Sequence, residues 1–228
     1  MLVRSLCTFL VIVFAICTET DLSFADTRVM VAESAAPTPA PAIAADSGQR
    51  AVLIDEDPFD PQGNPDAGSV IWRTETLKPA GGSKPDIAVR ADIDIPDRKF
   101  KMKMVFRRNT DTSLPASHII ELIFALPSDF AAGGIANVPG MMMKLGEQTV
   151  GSPLSGVVVK VTDGFFLMGL SNLERDRANN LKLLTERSWF DIPLFYVSGR
   201  RAILAIEKGT AGEQVFGDAF SAWAASAE

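Results

Sequence analysis

Apolar residues recur at every second position in two neighbouring stretches, residues 87–95 and 100–106, with charged residues between most of them. A period of two is typical of a strand that buries one face. Because a Pro96-Asp97-Arg98 turn signal separates the two stretches, the pattern predicts a β-hairpin. If both apolar faces point inward, Asp92 and Asp94 lie among the lysines of the opposing strand, where each exposed pair helps to set the register.

Other apolar runs predict further strands at 51–54, 69–76, 117–126, 156–161, 165–170, 192–197 and 201–206. The run at 117–126 is apolar on both faces, so we expect it deeper in the sheet. Two helices are predicted to follow capping boxes, Ser171-x-x-Glu174 and Thr210-x-x-Glu213. In the second helix an apolar stripe, formed by Phe216, Phe220 and Trp223, is spaced for docking on a sheet.

This order of elements favours an α+β fold with a mainly antiparallel β-sheet, either sandwich-like or strongly curved, and two helices. The last helix is expected to pack on the sheet. Residues 50–228 are interpreted as one domain.

The N-terminal 25 residues have the pattern of a secretory signal peptide: Arg4, then an apolar run, then Ser23-Phe24-Ala25 before the expected cleavage point. Residues 26–49 are rich in Ala and Pro, which indicates a semi-rigid tether. The predicted location is therefore the periplasm. The alternative is an uncleaved N-terminal anchor with the domain facing the periplasm.

Composition narrows the possible chemistry. The 228 residues carry a net charge of −6, one histidine and two cysteines, Cys7 and Cys17, both within the predicted signal peptide. A mature chain without thiols and with a single imidazole excludes cysteine nucleophiles, thiolate zinc sites and two-histidine metal sites. The mildly acidic balance argues against nucleic acid as a partner.

Few residues suggest chemistry. His118 shares a strand face with Ile120 and Leu122, so we expect it in apolar surroundings, with a structural role favoured over catalysis or pH sensing. The acidic segment 55–66 lacks the glycine and glutamate that a calcium-binding EF-hand loop requires, which favours a turn between strands. The glycine-rich stretch 133–140 lacks a phosphate-binding signature and is interpreted as a connection. Met141-Met142-Met143 is expected to fill the core.

Several segments resemble a family of bacterial envelope domains to which no activity is assigned: GSVIWRTE, DIAVRADIDIPDRK, VKVTDGFFLMGLS and SWFDIPLFYVSGRRAILAIEKG. In that family the domain usually follows a signal, an anchor or a low-complexity linker. A weaker resemblance, near the C-terminus, is to the invasion-associated locus B family of small periplasmic β-rich domains. Members of that family carry cysteine pairs, which the mature chain would lack. The resemblance implies an exported β-rich accessory domain.

The main hypothesis is an exported, non-catalytic periplasmic domain that binds a protein or another cell-envelope component. The alternative is a carrier of a small apolar ligand or lipid, for which we expect a cavity of roughly 300 Å³ or more between the sheet and the last helix. A hydrolase that uses His118 is a third hypothesis. The residues suggest no catalytic, cofactor-binding or metal-binding side chain, and only an uncleaved N-terminal segment would join the domain to a membrane.

Overall fold

The computed structural model describes residues 49–57, 59–78 and 85–225. The predicted signal peptide and nearly all of the predicted linker, with Cys7 and Cys17, lie outside these residues.

Twelve strands and two α-helices occur in the described residues. The strands are β1 (Gln49–Asp57), β2 (Asp60–Leu77), β3 (Asp86–Ile95), β4 (Phe100–Arg108), β5 (Ala116–Ala125), β6 (Ile135–Asn137), β7 (Met142–Lys144), β8 (Ser152–Pro153), β9 (Gly156–Thr162), β10 (Phe165–Ser171), β11 (Trp189–Tyr196) and β12 (Arg201–Glu207). The helices are α1 (Glu174–Glu186) and α2 (Gly209–Ala225). Among the described residues, neither helix is long and apolar enough to cross a membrane.

All strands belong to one antiparallel sheet in the order β8-β7-β11-β12-β1-β2-β3-β4-β5-β10-β9, with β6 paired to β11. The sheet curls into a half-barrel, and strands account for 54% of the structure. The predicted α+β class, with a strongly curved antiparallel sheet, is confirmed.

The hairpin of β3 and β4 has the predicted register. Asp92 pairs with Lys103 and Asp94 pairs with Lys101 across the two strands. A 3-10 turn, Pro96–Arg98, joins the strands, and Lys99 then takes a left-handed backbone conformation with φ of 48°. The period of two therefore determined both the pairing and the side of the sheet that each charge occupies.

One face of the sheet is apolar and forms the main core, and we call it the inner face. Each of the long strands contributes to it through alternate residues, as Met102, Met104 and Phe106 do in β4. Helix α2 packs on this face: the ring of Phe216 lies 5.5 Å from that of Phe106 and 5.7 Å from that of Trp72. The expectation that the last helix docks through its aromatic stripe is confirmed.

Two details differ from the sequence expectations. Neither predicted capping box forms at the start of its helix. Helix α1 begins after Leu173, which provides no side-chain cap, and Ser171 instead ends β10 and donates its hydroxyl to the carboxylate of Asp176. Helix α2 begins at Gly209, one residue before Thr210. Tertiary contacts of the flanking strands therefore decided where each helix starts.

The stretch 133–153 contains three short strands and is not a simple connection. Gly133 and Gly134 have φ of 75° and 105°, as expected for a chain reversal that only glycine makes easily. Beyond them, the short strands β6, β7 and β8 add to the edge formed by β11. Short strands of two or three residues lack enough periods of alternation to be recognised from sequence.

Candidate functional site

A cleft of ≈ 530 Å³ lies between the end of β4, the start of β5 and the two helices. We call it the His118 cleft. Its polar lining consists of Arg108, Asn109, Ser117, His118, Asn172 and Arg177, together with the hydroxyl-bearing Thr185. Its apolar lining includes Leu181 from α1 and both Phe220 and Trp223 from α2.

His118 is held by aromatic rings at the wall of the cleft. Only 7% of the residue is exposed. Its ring stacks on Phe106 at 5.2 Å with 10° between the planes, and Trp223 lies 5.2 Å away at 45°. The predicted apolar surroundings of His118 are confirmed.

The hydrogen bonds of His118 argue against a serine nucleophile at this position. The Nδ1 atom lies 3.2 Å from the Oγ atom of Ser117. The Ser117 hydroxyl lies within hydrogen-bond distance of two carbonyl oxygens, that of Ser171 at 3.1 Å and that of Leu170 at 3.4 Å. A hydroxyl that donates to either of them accepts from His118 Nδ1, which is the reverse of the direction that a general base requires. In the part of the chain that the structure describes, no carboxylate lines the cleft.

Burial, together with the positive charges of Arg177 and Arg108, lowers the pKa of His118 to about 4. The imidazole is therefore neutral at neutral pH.

The two arginines of the cleft differ in their partners. Arg108 donates through Nε to the carboxylate of Asp86 at 2.9 Å, and its Nη1 lies 3.4 Å from the carbonyl oxygen of Trp223. For Arg177, by contrast, no carboxylate lies within ion-pair distance among the described residues. Among the described residues, the charge of Arg177 at the cleft therefore has no carboxylate partner.

Helix α1, which carries the exposed Arg177 in the lining of the cleft, is anchored at three points. Near its start, Asp176 accepts the Ser171 hydroxyl bond described above. In its middle, the buried amide of Asn180 exchanges two hydrogen bonds of 2.8 Å with the backbone of Ser155.

At the end of α1, the buried ammonium group of Lys208 donates to the carbonyl oxygens of Leu184 and Thr185. This last contact satisfies carbonyl groups that a helix end leaves free, and burial lowers the pKa of Lys208.

The carboxylates Asp55 and Asp66 in the acidic segment form hydrogen bonds within the fold. Asp55 accepts hydrogen bonds from Tyr196 at 2.8 Å and from Arg98 at 2.8 Å, and Arg98 also donates to Asp66 at 2.7 Å. We call these four residues the Asp55 cluster.

Among the described residues, no group of His, Cys, Asp and Glu side chains is arranged to hold a metal. The prediction of a turn over 55–66 is right only in part: β1 continues to Asp57 and β2 already begins at Asp60, so most of the segment belongs to the β1–β2 hairpin strands.

Two of the three consecutive methionines fill the core as expected, and the basic residues Lys101 and Arg107 of β4 lie on the opposite face of the sheet. Met141 and Met143 are buried in the core, and Met142 is half-buried. On the other face of the sheet, which we call the outer face, Lys101 pairs with Asp94 at 2.9 Å and Arg107 with Glu121 at 2.8 Å. The first pair is exposed and the second is half-buried, and both compensate charge on the outer face of β3–β5.

A second candidate surface lies at one end of the sheet, and we call it the β9 edge (Gly156–Thr162). Within the described residues, β9 pairs with β10 alone. Val157, Val159 and Val161 are 70%, 57% and 47% exposed, whereas the intervening Val158 packs against the core. The register places Val157 and Val159 beside Gly169 and Leu167 on the outer face.

Sequence reasoning identified His118 but missed Arg177 and the β9 edge. The run GVVVKVT does predict a strand, but nothing in it distinguishes a buried strand from a free one. Arg177 is one of several charges on α1, and only packing shows which of them reaches the cleft.

No protein family matches the chain, and no curated protein or solved structure is significantly similar to it. The resemblance to envelope domains therefore remains a prediction.

Proposed function

We propose that the chain is an exported, non-catalytic domain of the periplasm that binds an extended segment of a cell-envelope protein by strand addition at the β9 edge. The single observation that supports this proposal is the exposure of three valines on a seven-residue strand that has one neighbour among the described residues.

A free edge strand presents unpaired backbone N–H and C=O groups, which form a ready template for another strand. Proteins commonly protect such edges with charges, proline or very short strands. The opposite edge of this sheet follows that rule, because β8 has only two residues and one of them is Pro153. The β9 edge carries a single charged residue, Lys160, which pairs with Asp163 at 2.8 Å.

The outer face beside β9 adds apolar area to the backbone template. Leu167 lies next to Val159, and Ile123 lies next to Phe165 in the register of β10 and β5. In recognition by strand addition, backbone hydrogen bonds supply affinity and alternate side chains supply specificity. A partner strand with apolar residues at alternate positions would continue this outer apolar face.

The N-terminal pattern supports the location, since a signal peptide followed by an Ala/Pro tether is typical of a domain that stands away from the membrane. The proposed partner is therefore a protein of the same compartment.

The test is site-specific photocrosslinking in cells that make the protein natively. A photoreactive residue at Val157 is expected to form an adduct with another envelope protein, and the additional change Val159→Asp is expected to abolish it. The matched control is a photoreactive residue at Val150, which is 96% exposed but lies in a loop.

Equal adducts from Val157 and Val150, no adduct from Val157, or adducts only with a second copy of this chain would each contradict the proposal. Circular dichroism of the Val159→Asp protein excludes loss of folding as the cause of a lost adduct.

A further inference from the structure

We propose that the His118 cleft binds a small organic anion with an apolar body, whose charged group lies against Arg177 and whose body lies against Phe220 and Trp223. This site is separate from the β9 edge, and the inference does not depend on the proposed strand addition.

The first argument concerns charge. The chain as a whole is acidic, with a net charge of −6, but the cleft is lined by two arginines and by no carboxylate among the described residues. Asp86 compensates Arg108, whereas Arg177 has no such partner in the described part of the chain. An isolated guanidinium group at the mouth of a cleft attracts a carboxylate or a phosphate, because its planar donors match their oxygens.

The second argument concerns shape and polarity. The volume of ≈ 530 Å³ is within the range of about 300–1,000 Å³ that is typical of small-molecule sites. Phe220, Trp223 and Leu181 provide apolar contact area, and aromatic side chains provide much of it at low cost in side-chain entropy. A fully polar ion would leave these surfaces wet, so the lining fits an amphiphilic ligand better than an inorganic one. The cleft also lies between the sheet and α2, where the carrier hypothesis requires a cavity.

The third argument concerns His118. The groups that face it are Arg108 from β4, Arg177 from α1 and Ser117 from its own strand, while α2 contributes Phe220, Trp223 and Ala224, none of which titrates. Within the described part of the chain, two positive charges and no negative charge line the cleft beside this neutral imidazole. A bound anion would offset the charge of Arg177, and it would therefore raise the pKa of His118.

The experiment uses the imidazole resonances of His118, which are unambiguous because the chain has one histidine. Octanoate, octylammonium and inorganic phosphate are titrated separately into the purified protein, without a histidine tag, and followed by NMR. Octanoate is expected to shift the His118 resonances saturably and to raise the pKa of His118. Octylammonium and phosphate are expected to give no saturable shift.

The Arg177→Ala variant is expected to bind octanoate about tenfold more weakly, because it loses one charge-assisted contact at a partly solvated site. The matched control is Arg175→Ala, which removes an exposed arginine from the same helix outside the cleft lining. Arg175→Ala is expected to bind octanoate as the unaltered protein does, and urea unfolding of both variants establishes that they fold.

Three results would overturn the inference. Octanoate could fail to bind saturably, octylammonium could bind as well as octanoate, or both arginine variants could bind octanoate equally. Saturable binding of phosphate with the affinity of octanoate would overturn the assignment of the apolar body.

Discussion

The Asp55 cluster and the His118 cleft lie at opposite ends of β4, and both place charged groups against the inner face of the sheet. In the Asp55 cluster the 5% exposed Asp55 contacts Arg98 and Tyr196, and Arg98 reaches a second carboxylate, Asp66. In the cleft a neutral imidazole faces two guanidinium groups, and only Arg108 has a carboxylate partner among the described residues.

Among the described residues, this difference separates charges that are compensated within the fold from the charge of Arg177, which has no carboxylate partner there. A buried ion pair whose hydrogen bonds are complete leaves little to attract a ligand, and its removal leaves an uncompensated buried charge. A positive group beside a cleft, without a carboxylate partner in the described part of the chain, has no comparable structural task. The two regions therefore predict opposite responses to substitution, and the expected effects decrease in the order given below.

The largest effect is expected for Asp55→Ala. This change removes the acceptor of the buried Tyr196 hydroxyl and leaves Arg98 with Asp66 as its remaining partner, so we expect the free energy of unfolding to fall by about 3 kcal/mol. Urea unfolding measures it. The matched control is Asp94→Ala, which breaks the exposed pair with Lys101 and should cost less than about 1 kcal/mol. Equal losses for the two variants would mean that the Asp55 cluster is not structural.

An intermediate effect is expected from acid. The folded state holds the pKa of His118 at about 4, below its usual value of 6.5, so the unfolded chain binds a proton first as the pH falls. The stabilisation is thus complete above pH 6.5 and is lost as the pH falls towards 4. We expect this group to lower the free energy of unfolding by about 2 kcal/mol between about pH 7 and about pH 4.5.

The control for this acid effect is His118→Phe, which keeps an aromatic ring between Phe106 and Trp223 but cannot titrate. Urea unfolding at both pH values should show a smaller loss for the variant, because carboxylates account for the remainder. A pH dependence identical to that of the unaltered protein would show that His118 is not the group responsible.

The smallest effect on stability is expected for Arg177→Ala. Because this guanidinium has no ion pair among the described residues, the free energy of unfolding should change by no more than about 0.5 kcal/mol. The same variant should raise the pKa of His118, since one of the charges that lowers it is removed. An NMR pH titration of the imidazole measures that shift. A large loss of stability without a change in this pKa would place Arg177 with the structural charges.

Local patterns predicted much of the fold. The alternation in β3 and β4 predicted the hairpin, its register and the side of each charge, because the two-residue repeat of a strand is a property of the backbone. The aromatic spacing in α2 predicted its docking face for the same kind of reason. The predicted capping box at Ser171 does not form because Ser171 lies in a paired strand and its hydroxyl bonds to Asp176 instead. The box at Thr210 does not form because α2 already begins at Gly209.

The candidate sites were much less accessible to prediction. His118 was singled out only because it is the one imidazole in the chain. Its partners come from β4, α1 and α2, which are distant in sequence, so that only packing brings Arg177 and Trp223 to the same cleft. The same holds for the β9 edge. Its single neighbour among the described residues, β10, follows from the strand order of the whole sheet.

By itself, the amino-acid sequence determined the antiparallel α+β class, the β3–β4 register and the docking face of the last helix, because each follows from the short-range geometry of a strand or a helix. The tertiary structure alone decided which strand ends the sheet, which carboxylates compensate which arginines, and where a cleft remains. These outcomes depend on contacts between segments that are far apart along the chain, and no local period of hydrophobicity records them.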